Sequence, residues 1–383
     1  MRKIGLLISV IALIAMLGTV VFTGCQPKTE AVEETQTTEA ATESVAETET
    51  TAQETEAAEE FNAVQAAISN FKSGGAKFET GTGKYTIGIS MCLFDQPYWI
   101  GMYAGFLQGG NDFDAKIIMQ NANLDIPKQM ASFQDYITAG VDGLVIVPTD
   151  TEATSAVIEV ANKAGVPVVE ANRITTGGDY AAVMYDNMKT GELSAEAMKA
   201  AADAQGIKDV KVMILVGDLK IAIGKERNDG FLNKVKEYSN FEVVAQMPTE
   251  WLHENVYPAA IDGFSAHPDA NAIYLSSDLM TQPTLSALEA LKKLKPAGDP
   301  GHVIVVTIDG QPIALENIRK GFVDATMNHE CFEIGYKSVE AAVKMIKGET
   351  VDPKIQLLPL VTIDKTNVDE PSFWGNALAG VVE

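Results

Sequence analysis

The residues of this chain equipped for chemistry recur just behind short apolar runs. They are Asp95, Gln96, Tyr98 and Trp99, then Thr149 and Asp150, then Asn172 and Arg173. Further on come Asp218, with Arg227 in the helix after it, then Trp251, Ser277, Asp278, Asp309, Gln311, Asn328, His329 and Glu330. Amides, carboxylates, guanidinium groups and aromatic rings dominate the set, and such groups hydrogen-bond and stack. Asp309 with His329 imitates an acid–base pair, but no nucleophile or oxyanion donor stands out to accompany it. The chain has no Gly-x-Ser-x-Gly element, no His-Glu-x-x-His and no phosphate loop. Gly81-Thr-Gly83 precedes an apolar run instead of following one, which is wrong for a dinucleotide site. With four histidines and widely spaced cysteines, a zinc site is not expected either. The expectation is a protein without catalysis, metal or cofactor.

The elements that must position these residues alternate between strand and helix. Strands are predicted at Tyr85–Met91, Lys116–Gln120, Leu144–Val147, Val166–Val169, Val210–Val216, Phe241–Met247, Ala272–Leu275 and Val303–Ile308. Helices are predicted at Pro97–Gly110, from Asp125 to Gly140, and at Thr151–Ala164, Lys225–Glu237, Asn255–Ala266 and Pro283–Leu294. Repeated strand–helix units call for parallel sheets covered on both faces. About 300 residues is long for one such core, so two α/β domains are expected. Ligands of open parallel sheets lie beyond the carboxyl ends of the strands, where the polar and aromatic set falls. Each member also has a plainer reading. Tyr98 and Trp99 suit the core stripe of their helix. Asp95, Asp150 and Asp309 suit helix caps, and Arg173 and Arg227 suit ion pairs.

The N-terminus reads differently. Arg2 and Lys3 precede Ile4 to Val21, a run without a charge, and small residues lead to Gly24 and Cys25. That is the form of an export signal. A transmembrane helix is the other reading, since about 18 apolar residues nearly span a bilayer. The segment Phe22-Thr-Gly-Cys25 resembles a bacterial lipobox, with Phe22 where leucine is usual. The resemblance implies a lipid on the Cys25 sulfur, and two acyl chains anchor stably. Gln26 to Glu60 holds eleven Glu, nine Thr and seven Ala without an aromatic residue. It lacks the apolar surface to offset its ordering entropy, so residues 26–83 are expected to be a disordered tether. The signal carries +2 and the tether −10 of the total −23, which leaves −15 for Phe61 to Glu383. So acidic a protein repels nucleic acid. Cys92 and Cys331 suit either a disulfide or two buried thiols, and the thiols are expected.

Local patterns in a consistent order resemble the type I periplasmic binding proteins, in their ribose- and galactose-binding branch. They are Gln96-Pro-Tyr-Trp99, Gly140-Val-Asp-Gly-Leu-Val-Ile-Val-Pro148, Ala164-Gly-Val-Pro-Val-Val169, Asn172-Arg173, Asp186-Asn187, Arg227 with Asp229-Gly-Phe231, His267-Pro-Asp269, Ile308-Asp-Gly310 and Ala325-Thr326. The resemblance spans about Lys84 to Val361. It implies two doubly wound, Rossmann-like lobes joined by a three-segment hinge, with the ligand cleft between them. Residues 1–25 would then be the signal, 84–185 and 330–357 one lobe, and 186–329 and 358–383 the other. It further implies a monomeric, extracytoplasmic, lipid-anchored protein that captures a sugar-like molecule for ABC permease subunits. A ligand sensor serving a membrane kinase or chemoreceptor is the alternative. Repressors with this fold need a helix-turn-helix head, and here that position holds the lipobox and tether.

A sugar ring has apolar faces and a polar rim. Tyr98, Trp99 and Trp251 are expected on the faces. Gln96, Asn172, Arg173, Arg227, Ser277, Asp309 and His329 are expected on the rim. The chain departs from the family pattern at Asn172, where aspartate is usual, and at Ser277, where asparagine is. Ile308 replaces an aromatic residue, His329 stands in a glutamine's place, and Thr281, Gln282 and Pro283 are extra. These departures leave the identity of the sugar-like ligand open.

Overall fold

In the computed structural model, residues 77–79, 83–94 and 96–379 are described. The signal, Cys25 and Asp95 lie outside them, as does most of the expected tether. The chain divides into two units at Gly74 and Gly75, and all described residues belong to the second.

The first sheet has seven strands. They are β1 (Lys77–Glu79), β2 (Tyr85–Met91), β3 (Ala115–Asn121), β4 (Gly143–Ile146), β5 (Val168–Ala171), β6 (Ala181–Met184) and, from far along the chain, β12 (Ile355–Leu357). Their order is β1-β3-β2-β4-β5-β6-β12, parallel except that β1 runs antiparallel to β3. Lys77–Glu79 were expected in the tether. They pair instead with Ile118, Met119 and Gln120, which satisfies main-chain groups that an edge strand would leave open. Three helices connect this sheet: α1 (Pro97–Asp112), α2 (Ile126–Ala139) and α3 (Thr151–Lys163). Their ends follow local chemistry. The Asp125 carboxylate accepts from Lys128 N at the start of α2, and Gly140 ends it at φ 74°.

Six strands make the second sheet. They are β7 (Val210–Val216), β8 (Phe241–Pro248), β9 (Ala272–Leu275), β10 (Ile304–Asp309), β11 (Ala325–Asn328) and β13 (Val361–Asp364). The order is β13-β11-β10-β9-β7-β8, with only β13 antiparallel. Around it lie α4 (Asn187–Ala204), α5 (Ala222–Val235), α6 (His253–Ala266), α7 (Thr281–Ala290) and α8 (Pro312–Lys320). Then come α9 (Cys331–Ile346), which packs on α1 beside the first sheet, and the short α10 (Trp374–Ala377). The chain crosses between sheets three times: between Met184 and Asn187, between Asn328 and Cys331, and between Leu357 and Val361.

Buried parallel strands explain the continuous apolar runs: β4, β5, β9 and β10 are buried along their whole length. Two glycines set the separation of α4 and α5. A Cβ on Gly191 would strike the carbonyl oxygen of Arg227, and one on Gly230 that of Met188. The two backbones therefore approach closely, and the helix that carries Arg227 is fixed against the first crossing.

Cys92 and Cys331 are buried, and among the described residues there is no disulfide. Among the described residues, no helix is long and apolar enough to cross a membrane, and no group of three or more His, Cys, Asp or Glu could hold a metal ion.

Candidate functional site

On the second sheet, the polar residues behind the strands interlock around Arg227. This side chain extends from α5 and is 5% exposed. Its Nε donates to Asn187 Oδ1 at 3.1 Å, and its Nη1 to the Ser276 carbonyl at 2.8 Å. Nη1 also reaches Asp309 Oδ1 at 3.4 Å, and Nη2 lies 3.1 Å from His329 Nδ1. Each bond keeps the guanidinium plane in place, as its rigid fork of donors requires.

Asp309 ends β10 with φ 121°, a conformation disfavoured for any residue with a Cβ. Several contacts hold it there. Ser277 Oγ donates to its Oδ2 at 2.6 Å. Its carbonyl accepts from His329 N at 3.2 Å and from Trp374 Nε1 at 2.8 Å. The next turn is tied to Asp278, whose carboxylate accepts from Gln311 N at 2.7 Å and Thr326 Oγ1 at 3.0 Å. Burial pushes Asp278 well above the usual carboxylate range, and the charge of Asp309 adds to the push. Asp309 is also raised by burial, but Arg227 and the Ser277 hydroxyl oppose it. Of the two, it is Asp309 that has a cation beside it, Arg227.

The first sheet presents a different surface. Tyr98 and Trp99 occupy the first turn of α1, their rings edge to face with centroids 5.2 Å apart. Both are nearly buried. The Tyr98 hydroxyl donates to Asn172 Oδ1 at 2.9 Å, with Asn172 itself held at φ 70°. The Arg173 guanidinium lies 5.6 Å from the Trp99 ring centroid, within cation–π range. Arg173 Nε and Thr149 Oγ1 are buried without a hydrogen-bond partner among the described residues. Gln96 sits at the N-cap of α1, yet its side chain makes no capping bond.

Trp374 joins the two surfaces. Besides holding the Asp309 carbonyl, its ring lies 6.1 Å from that of Tyr98, and its backbone N donates to Glu330 Oε1. The Tyr98 hydroxyl is held well above its ordinary pKa by burial first, then by Cys331, Asp309 and Tyr185, with Arg227 opposing. A group on the first lobe thus feels the charges of the second.

Of the residues singled out from sequence, the structure brings Arg227, Ser277, Asp309 and His329 into one bonded cluster. Tyr98, Trp99, Asn172 and Arg173 form another. Trp251 stands on the second lobe beside Gly217 and Gly224, half-buried against the apolar core, and its Nε1 has no hydrogen-bond partner among the described residues. Asp150 is a helix cap, accepting from Ala153 N at 2.7 Å. Asp309 does not cap α8, whose cap position is Gln311. Ile308, where the family pattern has an aromatic residue, is fully buried in the apolar core of the second lobe. Alternation along β10 sends it away from the Asp309 side.

Sequence reasoning missed Trp374, which follows the last strand in a stretch without strand or helix periodicity. It also missed Asn187 as a partner of Arg227, although Asp186-Asn187 had marked a crossing.

The geometry has counterparts among known proteins. The ribose import binding protein of Bacillus subtilis is 30% identical over 273 residues, covering 71% of this chain and 85% of the relative. An ABC transporter solute-binding protein of Bacillus halodurans, solved with bound myo-inositol, matches with a TM-score of 0.68 and 26% identity, covering 77% of this chain and 99% of that one. One from Actinobacillus succinogenes, solved with bound D-allose, matches with a TM-score of 0.68 and 25% identity over 74% and 99%. These relatives are binding proteins, not enzymes, and so is this chain. The model of the periplasmic binding protein domain matches residues 87–350, which take in both polar clusters and most strands of both sheets, and the chain belongs to that family.

Proposed function

We propose that the protein is an extracytoplasmic solute-binding protein that takes one monosaccharide-like molecule between its lobes and delivers it to an ABC importer. The observation that carries this reading is the pairing of a pre-bonded Arg227–Asp309 cluster with a facing surface that keeps buried polar atoms open at Arg173 and Thr149. A solute rich in hydroxyls answers both. Tyr98, Trp99 and Trp251 cover its apolar faces. Gln96, Asn172, Arg173, Arg227, Ser277 and Asp309 meet its rim, where each bond to a charged group is worth about 1.5–3 kcal/mol. A solute lacking one of the matched hydroxyls leaves a buried group unpaired and is rejected.

The departures from the family pattern shape what is accepted. Asn172 gives its carbonyl to Tyr98 and so offers amide donors where an aspartate would offer acceptors. Ser277 gives its hydroxyl proton to Asp309 and accepts from Leu279 N, so less of it remains for a solute than an asparagine would offer.

In the same reading the protein is a monomer held at the outer face of the cell membrane by lipid on Cys25, with residues 26–60 as spacer. Its partners are the permease subunits. Thermal-shift screening of the purified protein against pentoses, hexoses and polyols tests the binding half, and a folded protein that responds to none of them refutes it. Labelling of the full chain with a radioactive fatty acid tests the anchor. The label is expected in the parent and absent from Cys25→Ser, and equal labelling of both removes the anchor.

A further inference from the structure

His329 lies at the second crossing between the lobes, 1% exposed, with both ring nitrogens in use. An arginine side chain only donates. The ring nitrogen facing it, Nδ1 at 3.1 Å from Arg227 Nη2, must therefore be the acceptor and carry no proton. The ring proton then sits on Nε2, which lies 3.1 Å from Thr190 Oγ1. The Thr190 hydroxyl, having accepted that proton's bond, spends its own on the Asp186 carbonyl at 2.8 Å. All three bonds run one way, from Arg227 through His329 and Thr190 to the backbone of the first crossing. The ring is also stacked on Tyr185, with centroids 4.2 Å apart and planes 5° from parallel. Neither nitrogen has capacity left for a solute.

We propose that His329 is a positioning residue: as a neutral imidazole protonated on Nε2, it orients Arg227 for the solute and ties that arginine to the crossing, without itself touching the solute. This rests on the reading of Arg227 as a solute contact. A second proton, on Nδ1, would point at the Arg227 guanidinium. The charged or titratable groups around the ring are Arg227 on α5, Asp309 on β10 with Oδ1 at 3.7 Å from Nδ1, Tyr185 behind β6, and the adjoining Glu330 and Cys331. Only Asp309 would welcome the added charge, and it already answers to Arg227. Burial, then Arg227, hold the ring's pKa well below the ordinary histidine value.

The test has two arms. In the first, the full chain labelled with ¹⁵N-histidine is observed by long-range proton–nitrogen correlation, with His329→Gln giving the assignment. The expected result is a neutral ring protonated on Nε2 from pH 8 down to about pH 5, with nitrogen shifts little changed by added solute. A ring protonated on Nδ1, or a cationic ring at pH 7, overturns the proposal.

The second arm measures affinity by calorimetry for whichever of D-ribose, D-allose and myo-inositol binds the parent most tightly. Glutamine can still accept from Arg227 and donate to Thr190, so His329→Gln should stay within about threefold of the parent. His329→Leu should lose about 10- to 100-fold, the value of one charge-assisted hydrogen bond. Equal losses in both variants, or a changed order of preference among the three solutes in His329→Gln, overturns the proposal by making His329 a contact. If none of the three solutes binds, the sugar reading fails, while the ring spectra of the parent still decide the state of His329.

Discussion

Arg173 stands behind a strand of the first lobe and Arg227 on a helix of the second, and their surroundings differ in kind. Arg227 is held by Asn187, Ser276, Asp309 and His329. Arg173 rests on the Trp99 ring, has no carboxylate partner among the described residues, and keeps a buried Nε without a bond. One arginine is already oriented and the other has bonding capacity left over. In the proposed reading this is a division of labour. The second lobe supplies a fixed polar template, and the first supplies aromatic surface and donors that find partners when a solute arrives.

The sharpest way to break this contrast is to remove each arginine in turn. Arg227→Ala leaves the Asp309 carboxylate buried without its cation, so stability should fall by about 3–5 kcal/mol as well as binding being lost. Urea unfolding measures the first and calorimetry the second. A stability loss below about 1 kcal/mol would mean the cluster is not the template described.

Glu330 offers a contrast inside the second crossing. Like Asp309 it is a buried carboxylate, but it accepts only from neutral donors, Asn328 Nδ2 at 2.6 Å and Trp374 N at 3.2 Å. Burial raises it to about 7, against those two donors. A carboxylate raised in the folded state contributes stability while protonated, below its unfolded pKa. That contribution fades as pH rises through the folded value. Glu330→Gln keeps the accepting oxygen and never ionises. At pH 8 it should be more stable than the parent by about 3 kcal/mol, with the difference nearly gone by about pH 4.5. No difference at pH 8 would show that Glu330 ionises there at no cost.

Smaller effects sharpen the picture. Trp374→Phe retains a ring beside Tyr98 but loses the donor to the Asp309 carbonyl, so it should destabilise by about 1 kcal/mol. Tm at fixed pH checks this, and an unchanged Tm would free Asp309 from dependence on the C-terminal segment. Arg173→Ala should change stability by less than about 1 kcal/mol, because among the described residues its charge meets only the Trp99 ring. Its affinity for solute should nevertheless fall about tenfold or more. A large stability loss with unchanged affinity would reverse the roles assigned to the two arginines.

How far the sequence could be read follows from the same physics. Strands such as β4, β9 and β10 were legible because burial on both faces demands unbroken apolar runs. Helix α4 was not. Its buried side consists largely of Thr190, Gly191, Ser194 and Ala195, small residues that let α5 approach, so it shows little apolar periodicity. Asp309 and His329 stood out as polar residues behind strands, and Arg227 as an arginine in the helix that follows Asp218. Their bonding was not legible, since Arg227 and His329 are 102 residues apart and only the fold joins them. Trp374 escaped notice because what it holds, the Asp309 carbonyl, is backbone and leaves no sequence signal.

The central claim is that a hydroxyl-rich solute is taken between a fixed polar template and a face with unmet donors. Calorimetric titration of the purified protein with D-ribose, D-allose and myo-inositol at pH 7, in parallel with Arg227→Ala and Arg173→Ala, tests it most directly. The account predicts one molecule bound per chain by the parent, with binding lost in Arg227→Ala and weakened in a folded Arg173→Ala. Binding that survives unchanged in both variants, or a folded parent that binds none of the three, would contradict it.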